Sequence, residues 1–318
     1  MATYLVTGGA GFIGSHLVET LVKRGETVRV VDNFATGSHA TLAPFLNDIE
    51  LFERDISLSA DSLADAFKGV DYVLHQAAIP SVPRSIADPM LCHQGCATGT
   101  LNVLIAARDA GVKRLVYAAS SSVYGEIEGE YKVETMAPSP LSPYAVAKLT
   151  GEQYCQVFHR VYGLETVALR YFNVFGPRQD PNSPYSAVIP LFMSALLKDR
   201  QPTIYGDGTQ SRDFTYIDNV VHGNLLAATS DGKQSSGEVM NLACGDRITL
   251  LELVESLNKL LDKNIQPIMA LARPGDIKHS RADISKAGRL LGYEPVVTFH
   301  EGLARTLDWF QSNPTAFA

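Results

Sequence analysis

Thr7-Gly8-Gly9-Ala10-Gly11-Phe12-Ile13-Gly14 lies between a short apolar run, residues 4–7, and an amphipathic stretch, residues 12–24. A strand that runs through glycines into a helix makes a cradle for phosphate. Gly8 permits the tight turn, Gly11 lets the backbone approach a pyrophosphate, and Gly14 allows close packing of helix on sheet. Phe12 and Ile13 open the helix, whose first N–H groups and positive dipole end favour an anion. A bare glycine pattern also fits an ordinary strand–turn–helix, so its weight comes from what surrounds it.

Working outward, apolar runs at residues 27–32, 49–56, 70–76, 113–118 and 166–172 alternate with helical patterns, notably 97–110 and 142–162. Strands alternating with helices predict a parallel sheet covered on both faces. The near-continuous runs TVRVV and RLVYA suit strands buried on both sides. After Gly176 the segment PRQDPNSPY reads as a loop. It sets a boundary between a domain at 1–176 and a second at 177–318, with residues 215–245 left free to return to the first. The second half carries helical patterns at 187–198, 218–229, 250–261, 284–291 and 299–310, and short strands at 202–205, 238–242 and 265–269. The expected class is α/β: a Rossmann doubly wound parallel sheet with a smaller α/β substrate domain.

The 318 residues are 46% apolar with a formal net charge of −7. No basic patch suggests nucleic acid. No apolar run reaches the roughly 18 residues of a membrane span, and no secretory signal opens the chain. Four scattered cysteines, Cys92, Cys96, Cys155 and Cys244, suit reduced thiols in the cytoplasm. Cys92 and Cys96 lie four apart, expected on one helix, with no partner pair at zinc spacing.

Asp32 ends the second strand, where an acid accepts hydrogen bonds from an adenosine ribose. A carboxylate there repels a 2′-phosphate, no arginine follows it, and Arg29 lies inside the strand. The cofactor read from these residues is therefore NAD rather than NADP. Asn33 beside Asp32, Asp55-Ile56 and the small pair Ala77-Ala78 join the cofactor set, at strand ends where open α/β sheets bind ligands.

Tyr144-Ala-Val-Ala-Lys148 follows Pro143 at a helix start, and a spacing of four places both side chains on one face. A free tyrosine has a pKa near 10 and is a poor base at neutral pH. A neighbouring ammonium and a cationic nicotinamide both favour the phenolate. Tyr144 then takes a hydroxyl proton while hydride leaves the same carbon. Ser120, in AASSSVYG at the end of the fifth strand, can hydrogen-bond the same oxygen.

TGGAGFIG, Asp32, SSSVYG and YAVAK together resemble the extended short-chain dehydrogenase/reductase superfamily, over essentially the whole chain. RYFNVFGPRQDP, YSAVIP, YGDGTQSRDFTYIDNV and RPGDIKHSRADISKA resemble the UDP-galactose 4-epimerase family. SVPRSIADP and RQDPN share the texture of its UDP-N-acetylglucosamine 4-epimerase branch. The resemblance implies that Asn173 binds the UDP-sugar, that Val188-Ile189-Pro190 faces the uracil, and that Arg212 and Arg273 hold the diphosphate. It implies Asp276 as a ribose ligand and Tyr171 near the nicotinamide. Tyr205, Ser121 and Ser122 belong to the implied substrate set, and Ser122 also to the catalytic one. Members commonly carry Asn where this chain has Cys96, which removes one expected cofactor contact.

The function implied is isomerisation at C4 of a UDP-hexose through a transient 4-keto sugar. Ser280 stands where members restricted to non-acetylated sugars place a bulky Tyr. The substrates implied are UDP-GlcNAc and UDP-GalNAc, with UDP-glucose and UDP-galactose. UDP-glucuronate stays open. So does a lyase, a 4,6-dehydratase or a decarboxylase; against it, dehydratases carry Asp-Glu where this chain has Ser121-Ser122, and decarboxylases usually a Glu at the Ser122 position. Residues 97–110 and 142–162 resemble the helices through which relatives form homodimers.

Overall fold

The computed structural model describes residues 1–126, 129–180, 187–272 and 278–314. Seven strands form one parallel sheet: β1 (Thr3–Thr7), β2 (Thr27–Asp32), β3 (Ile49–Glu53), β4 (Tyr72–His75), β5 (Arg114–Ser120), β6 (Glu165–Tyr171) and β7 (Glu238–Leu242). Their spatial order is β7-β6-β5-β4-β1-β2-β3. The chain builds β1 to β3 in one direction, then crosses back so that β4 pairs with the other edge of β1. This is the doubly wound Rossmann arrangement, and its reversal opens a crevice beyond the carboxyl ends of β1 and β4.

Eight longer helices complete the frame: α1 (Phe12–Lys23), α2 (Gly99–Asp109), α3 (Pro143–Tyr162), α4 (Val188–Leu197), α5 (Ile217–Thr229), α6 (Leu250–Leu261), α7 (Ser285–Leu291) and α8 (Phe299–Ser312). Alternate strand residues feed two cores, as the period of two requires. Tyr4, Val6 and Val116 pack with Leu17 and Leu21 of α1 and Leu225 of α5. Leu5, Leu115 and Tyr117 pack with Leu104 of α2 and Phe158 of α3. The first core runs on into the second half through Phe214, Leu253 and Leu307. That half adds three small pairs: Thr203–Tyr205 with Ile268–Ala270, Ser211–Arg212 with Ile248–Thr249, and Val174–Phe175 with Thr215–Tyr216. Residues 217–242 then return, α5 packing over the sheet and β7 pairing with β6.

Three elements differ from expectation. The run 49–56 stops as a strand at Glu53, because Asp55 Oδ1 accepts from the N–H and hydroxyl of Ser57 and turns the chain away. The strand expected at 265–269 is Ile268–Ala270, since Ile265 is held to the Asn258 side chain through both its N–H (2.9 Å) and its carbonyl (3.0 Å). The helix expected from residue 97 begins earlier, in a π turn, Gln94–Thr98, that joins Pro89–His93 to α2. Cys92 and Cys96 therefore sit on different elements rather than one regular helix. Among the described residues, no helix is long and apolar enough to cross a membrane.

Candidate active site

Gly8 leaves β1 with φ +70°, and a Cβ there would sit 2.7 Å from the backbone N and Cα of Ala77 at the end of β4. Gly11 begins α1 with no side-chain cap, leaving first-turn N–H groups open. A Cβ on Gly14 would run into the Gly8 carbonyl, so the third glycine closes the turn on itself rather than seating the helix on the sheet. Asp32 accepts from Ala10 N at 2.9 Å and Phe34 N at 2.8 Å, which pins its carboxylate beside this turn. Burial holds its pKa above the usual carboxylate value. Arg29 is engaged elsewhere, by Glu50 and the carbonyls of Ala66 and Lys68.

A cavity of about 300 Å³ runs from this turn across the sheet. Its wall includes Gly8, Gly11, Phe12, Ile13, Gly14, Asp32, Asn33, Asp55, Ile56, Ala77, Ala78, Tyr144, Lys148 and Tyr171, the whole set assigned to the cofactor from sequence. Arg54, Gln76, Ile79, Pro80 and Gly95 also line it and were not singled out. Arg54 and Gln76 stand next to assigned residues at strand ends, so the strand-end rule applied one residue wider would have found them. A glycine cradle that any Cβ would fill and a pinned acceptor at the second strand end fit an adenine dinucleotide.

At the far end of the cavity, Ser142 caps α3 by accepting from Ala145 N at 3.2 Å, and Pro143 fixes the first turn. The Ser120 side chain faces the Tyr144 hydroxyl. Ser120 Oγ also accepts from Ser122 Oγ at 2.9 Å. One turn on, buried Lys148 donates to Ala118 O at 2.7 Å, with Nζ 6.0 Å from the Tyr144 ring centre. Burial pushes the Tyr144 phenol well up, Cys96 adds to this, and the Ser120 hydrogen bond opposes it. Burial also pulls the Lys148 ammonium down. Lys148 thus points to a carbonyl, and the expected lowering of Tyr144 by Lys148 is not visible in the protein alone. Another turn on, Glu152 forms a two-pronged pair with Arg170 of β6, both contacts at 2.8 Å and both side chains buried. It clamps the helix that carries Tyr144 to the sheet.

Tyr171 receives hydrogen bonds from Asn224 Nδ2 (2.8 Å) and Gln76 Nε2 (3.1 Å). His75, buried and held neutral with its pKa lowered to about 3 by burial and then by Lys148, shares hydrogen bonds with Thr7 (2.6 Å) and Thr100 (3.0 Å). Cys96 does not line the cavity. Its thiol donates to Ile79 O at 3.6 Å, so it tethers a wall residue instead.

A second cavity, also about 300 Å³, is lined by Asn173, Val188, Tyr205 and Arg212 of the expected substrate set. Thr203, Gln210, Phe214 and Leu250 line it as well; Gln210 and Phe214 flank Arg212 in the quoted TQSRDF segment but drew no notice. Ser121 and Ser122 lie in a 3-10 turn after β5 and line neither cavity. Ser280 lines neither as well; its N–H is bonded to Ser211 O at 3.1 Å. Arg273 and Asp276 lie outside the described residues. Among the described residues, no cluster of His, Cys, Asp and Glu could hold a metal ion.

The profile of the NAD dependent epimerase/dehydratase family matches residues 4–243. The UDP-glucose 4-epimerase of Mycolicibacterium smegmatis is 35% identical over 97% of this chain and 98% of its own. The UDP-glucuronate 4-epimerase of Thermodesulfobacterium geofontis is 35% identical over 98% and 97%. Among solved structures, the UDP-N-acetylglucosamine 4-epimerase of Methanobrevibacter ruminantium M1, in complex with UDP-N-acetylmuramic acid, superposes with a TM-score of 0.93. It is 41% identical and covers 98% of this chain and 99% of its own.

Proposed function

The chain belongs to the NAD-dependent epimerase/dehydratase family, as an NAD-dependent UDP-sugar 4-epimerase, and on that premise we propose that it inverts C4 of UDP-hexoses including UDP-GlcNAc and UDP-GalNAc. The glycine turn receives the pyrophosphate of NAD and Asp32 its adenosine ribose. NAD held there would supply the acceptor and donor for the C4 hydride. Tyr144 takes the 4-hydroxyl proton and gives it back, and Ser120 hydrogen-bonds the same oxygen. Lys148, held on Ala118 O, keeps a positive charge near the phenol. Asn173, Val188 and Arg212 hold the nucleotide, leaving the hexose free to present either face of C4.

The observation that carries this reading is the make-up of the reacting end: Tyr144 facing Ser120, with the Ser122 hydroxyl donating to Ser120. A hydroxyl there cannot do the acid–base work of elimination at neutral pH without activation. Oxidation and reduction at one carbon need no second acid. The lining arginines among the described residues are Arg54, near Asp55, and Arg212, in the second cavity, so neither stands beside Tyr144 to receive a C6 carboxylate. Acceptance of the acetamido group rests on the resemblance, in which Ser280 replaces a bulky Tyr, and not on the cavities, which Ser280 does not line.

Val146, Val157 and Val161 are exposed along α3 and, with the half-buried Leu101 and Ile105 of α2, fit a homodimer interface. A dimeric mass by light scattering at micromolar concentration is expected, and a monomer rejects this arrangement. The four free cysteines fit work in the cytosol. The test of function is incubation of the purified protein with a panel of UDP-sugars. Interconversion of UDP-GlcNAc and UDP-GalNAc is expected; inertness toward every UDP-hexose would sink the reading.

A further inference from the structure

Asp213 is fully buried and lines neither cavity, yet its chain neighbours Arg212 and Phe214 both line the second. Its Oδ1 accepts from Cys244 N at 3.0 Å, and its Oδ2 accepts from Gly245 N at 3.0 Å and Ala282 N at 3.1 Å. Its main-chain carbonyl accepts from Asn173 Nδ2 at 3.3 Å, and Asn173 is another wall of that cavity. One residue thus joins four stretches far apart in sequence: the end of β6, the Arg212 segment, the turn after β7, and residues 278–283. Among the described residues no cation forms an ion pair with it. A buried carboxylate without a cation is costly unless its lone pairs are satisfied; here three amides satisfy them, and burial still raises its pKa to about 7.

The strands beside it are short. Ser211–Arg212 pairs with only Ile248–Thr249, and residues 278–280 reach it by two backbone bonds, Ser211 N to Lys278 O (2.9 Å) and Ser280 N to Ser211 O (3.1 Å). Two-residue ladders fix spacing weakly, and a preformed pocket needs its walls locked. We propose that Asp213 is a positioning residue for the nucleotide half of the substrate: its three amide contacts fix the Arg212 wall against the turn after β7 and the stretch carrying Ser280, and its main-chain carbonyl, held in place by them, fixes Asn173. This rests on the reading of the second cavity as the UDP site. In the free protein it keeps those walls in the bound arrangement, so binding does not have to order them.

The test measures UDP binding to the NAD-loaded holoenzyme by calorimetry. Asp213→Asn keeps the shape but replaces one acceptor oxygen by a donor facing amides. Its UDP dissociation constant is expected to rise about ten- to thirtyfold, with NAD content kept and the loss appearing in KM rather than kcat. A purely structural role predicts a lower Tm with UDP affinity unchanged in the folded protein, and that result overturns the proposal. Gly245→Ala serves if Asp213→Asn does not fold. Gly245 has φ +72° with nothing nearer than 3.7 Å to an added Cβ, so the substitution strains the turn without a clash. UDP is expected to bind about threefold more weakly in that variant, and unchanged affinity counts against Asp213. Wild-type protein that binds no UDP instead removes the assignment of the second cavity, so the two failures are distinct.

Discussion

Helix α1 starts on Gly11 with no side-chain cap, at the wall of the first cavity, whereas α6 starts on Thr249 with a reciprocal capping box to Glu252, at the wall of the second. The first helix leaves its N-terminal N–H groups to an anion. The second has filled its own with side chains. A second helix at that wall, α4, also starts uncapped, on Ala187, so an anion in the second cavity meets the Arg212 and Asn173 side chains beside one open helix end. The difference is between a site made at strand ends around one glycine turn and a site assembled from separated segments, the Arg212 and Asn173 side chains and the open start of α4 among them. Changes to side chains should accordingly divide into those that touch chemistry or substrate and those that touch NAD retention.

The largest expected effect lies in the first cavity. Tyr144→Phe should lower kcat by about 10²- to 10⁴-fold while the purified protein keeps its bound NAD. A variant that turns over at the wild-type rate would remove Tyr144 as the base, and one that loses NAD would mean that the backbone cradle is not sufficient. Next comes the clamp beneath it. Glu152→Gln leaves Arg170 charged and buried, so urea unfolding should show a loss of about 3–5 kcal/mol. A loss under about 1 kcal/mol would mean that water or Tyr124, whose ring lies 4.6 Å from the Arg170 guanidinium, satisfies the cation instead.

The second cavity should respond to single side chains. Arg212→Ala is expected to weaken UDP binding about ten- to a hundredfold with NAD content unchanged. Parallel loss of NAD would break the comparison by showing that the two sites are one. The smallest effect is on sugar choice. Ser280→Tyr should shift kcat/KM for UDP-GlcNAc relative to UDP-glucose by about tenfold against the acetylated sugar, the usual scale of overfilling a pocket. Because Ser280 is bridged to Ser211 and lines neither cavity, an unchanged ratio would place acetamido recognition elsewhere.

The same contrast explains what was legible in the sequence. The Rossmann sheet could be read because each β5 residue from Arg114 to Ala119 is buried, giving a run of apolar residues that no alternating strand shows. The wall of the first cavity could be read because many of its residues are consecutive at strand ends. What escaped depends on contacts between segments. The π turn at Gln94–Thr98 has no side-chain signature, and the role of Cys96 is visible only once Ile79 is beside it. The Asn258–Ile265 tie that delays the strand to Ile268 joins residues whose composition gives no hint of it. His75 and Asn224 read as an ordinary strand end and helix interior until Thr7, Thr100 and Tyr171 are brought to them.

In the mechanism proposed above, hydride leaves and returns to one carbon with no elimination. The direct measurement follows C4-deuterated UDP-GlcNAc through the NAD-loaded enzyme by NMR and mass spectrometry. The expected product is UDP-GalNAc that keeps its deuterium at C4, with no water or carbon dioxide lost from the sugar and no net reduction of NAD. A 4-keto-6-deoxy product, or C4 deuterium exchanged for solvent hydrogen, would contradict it.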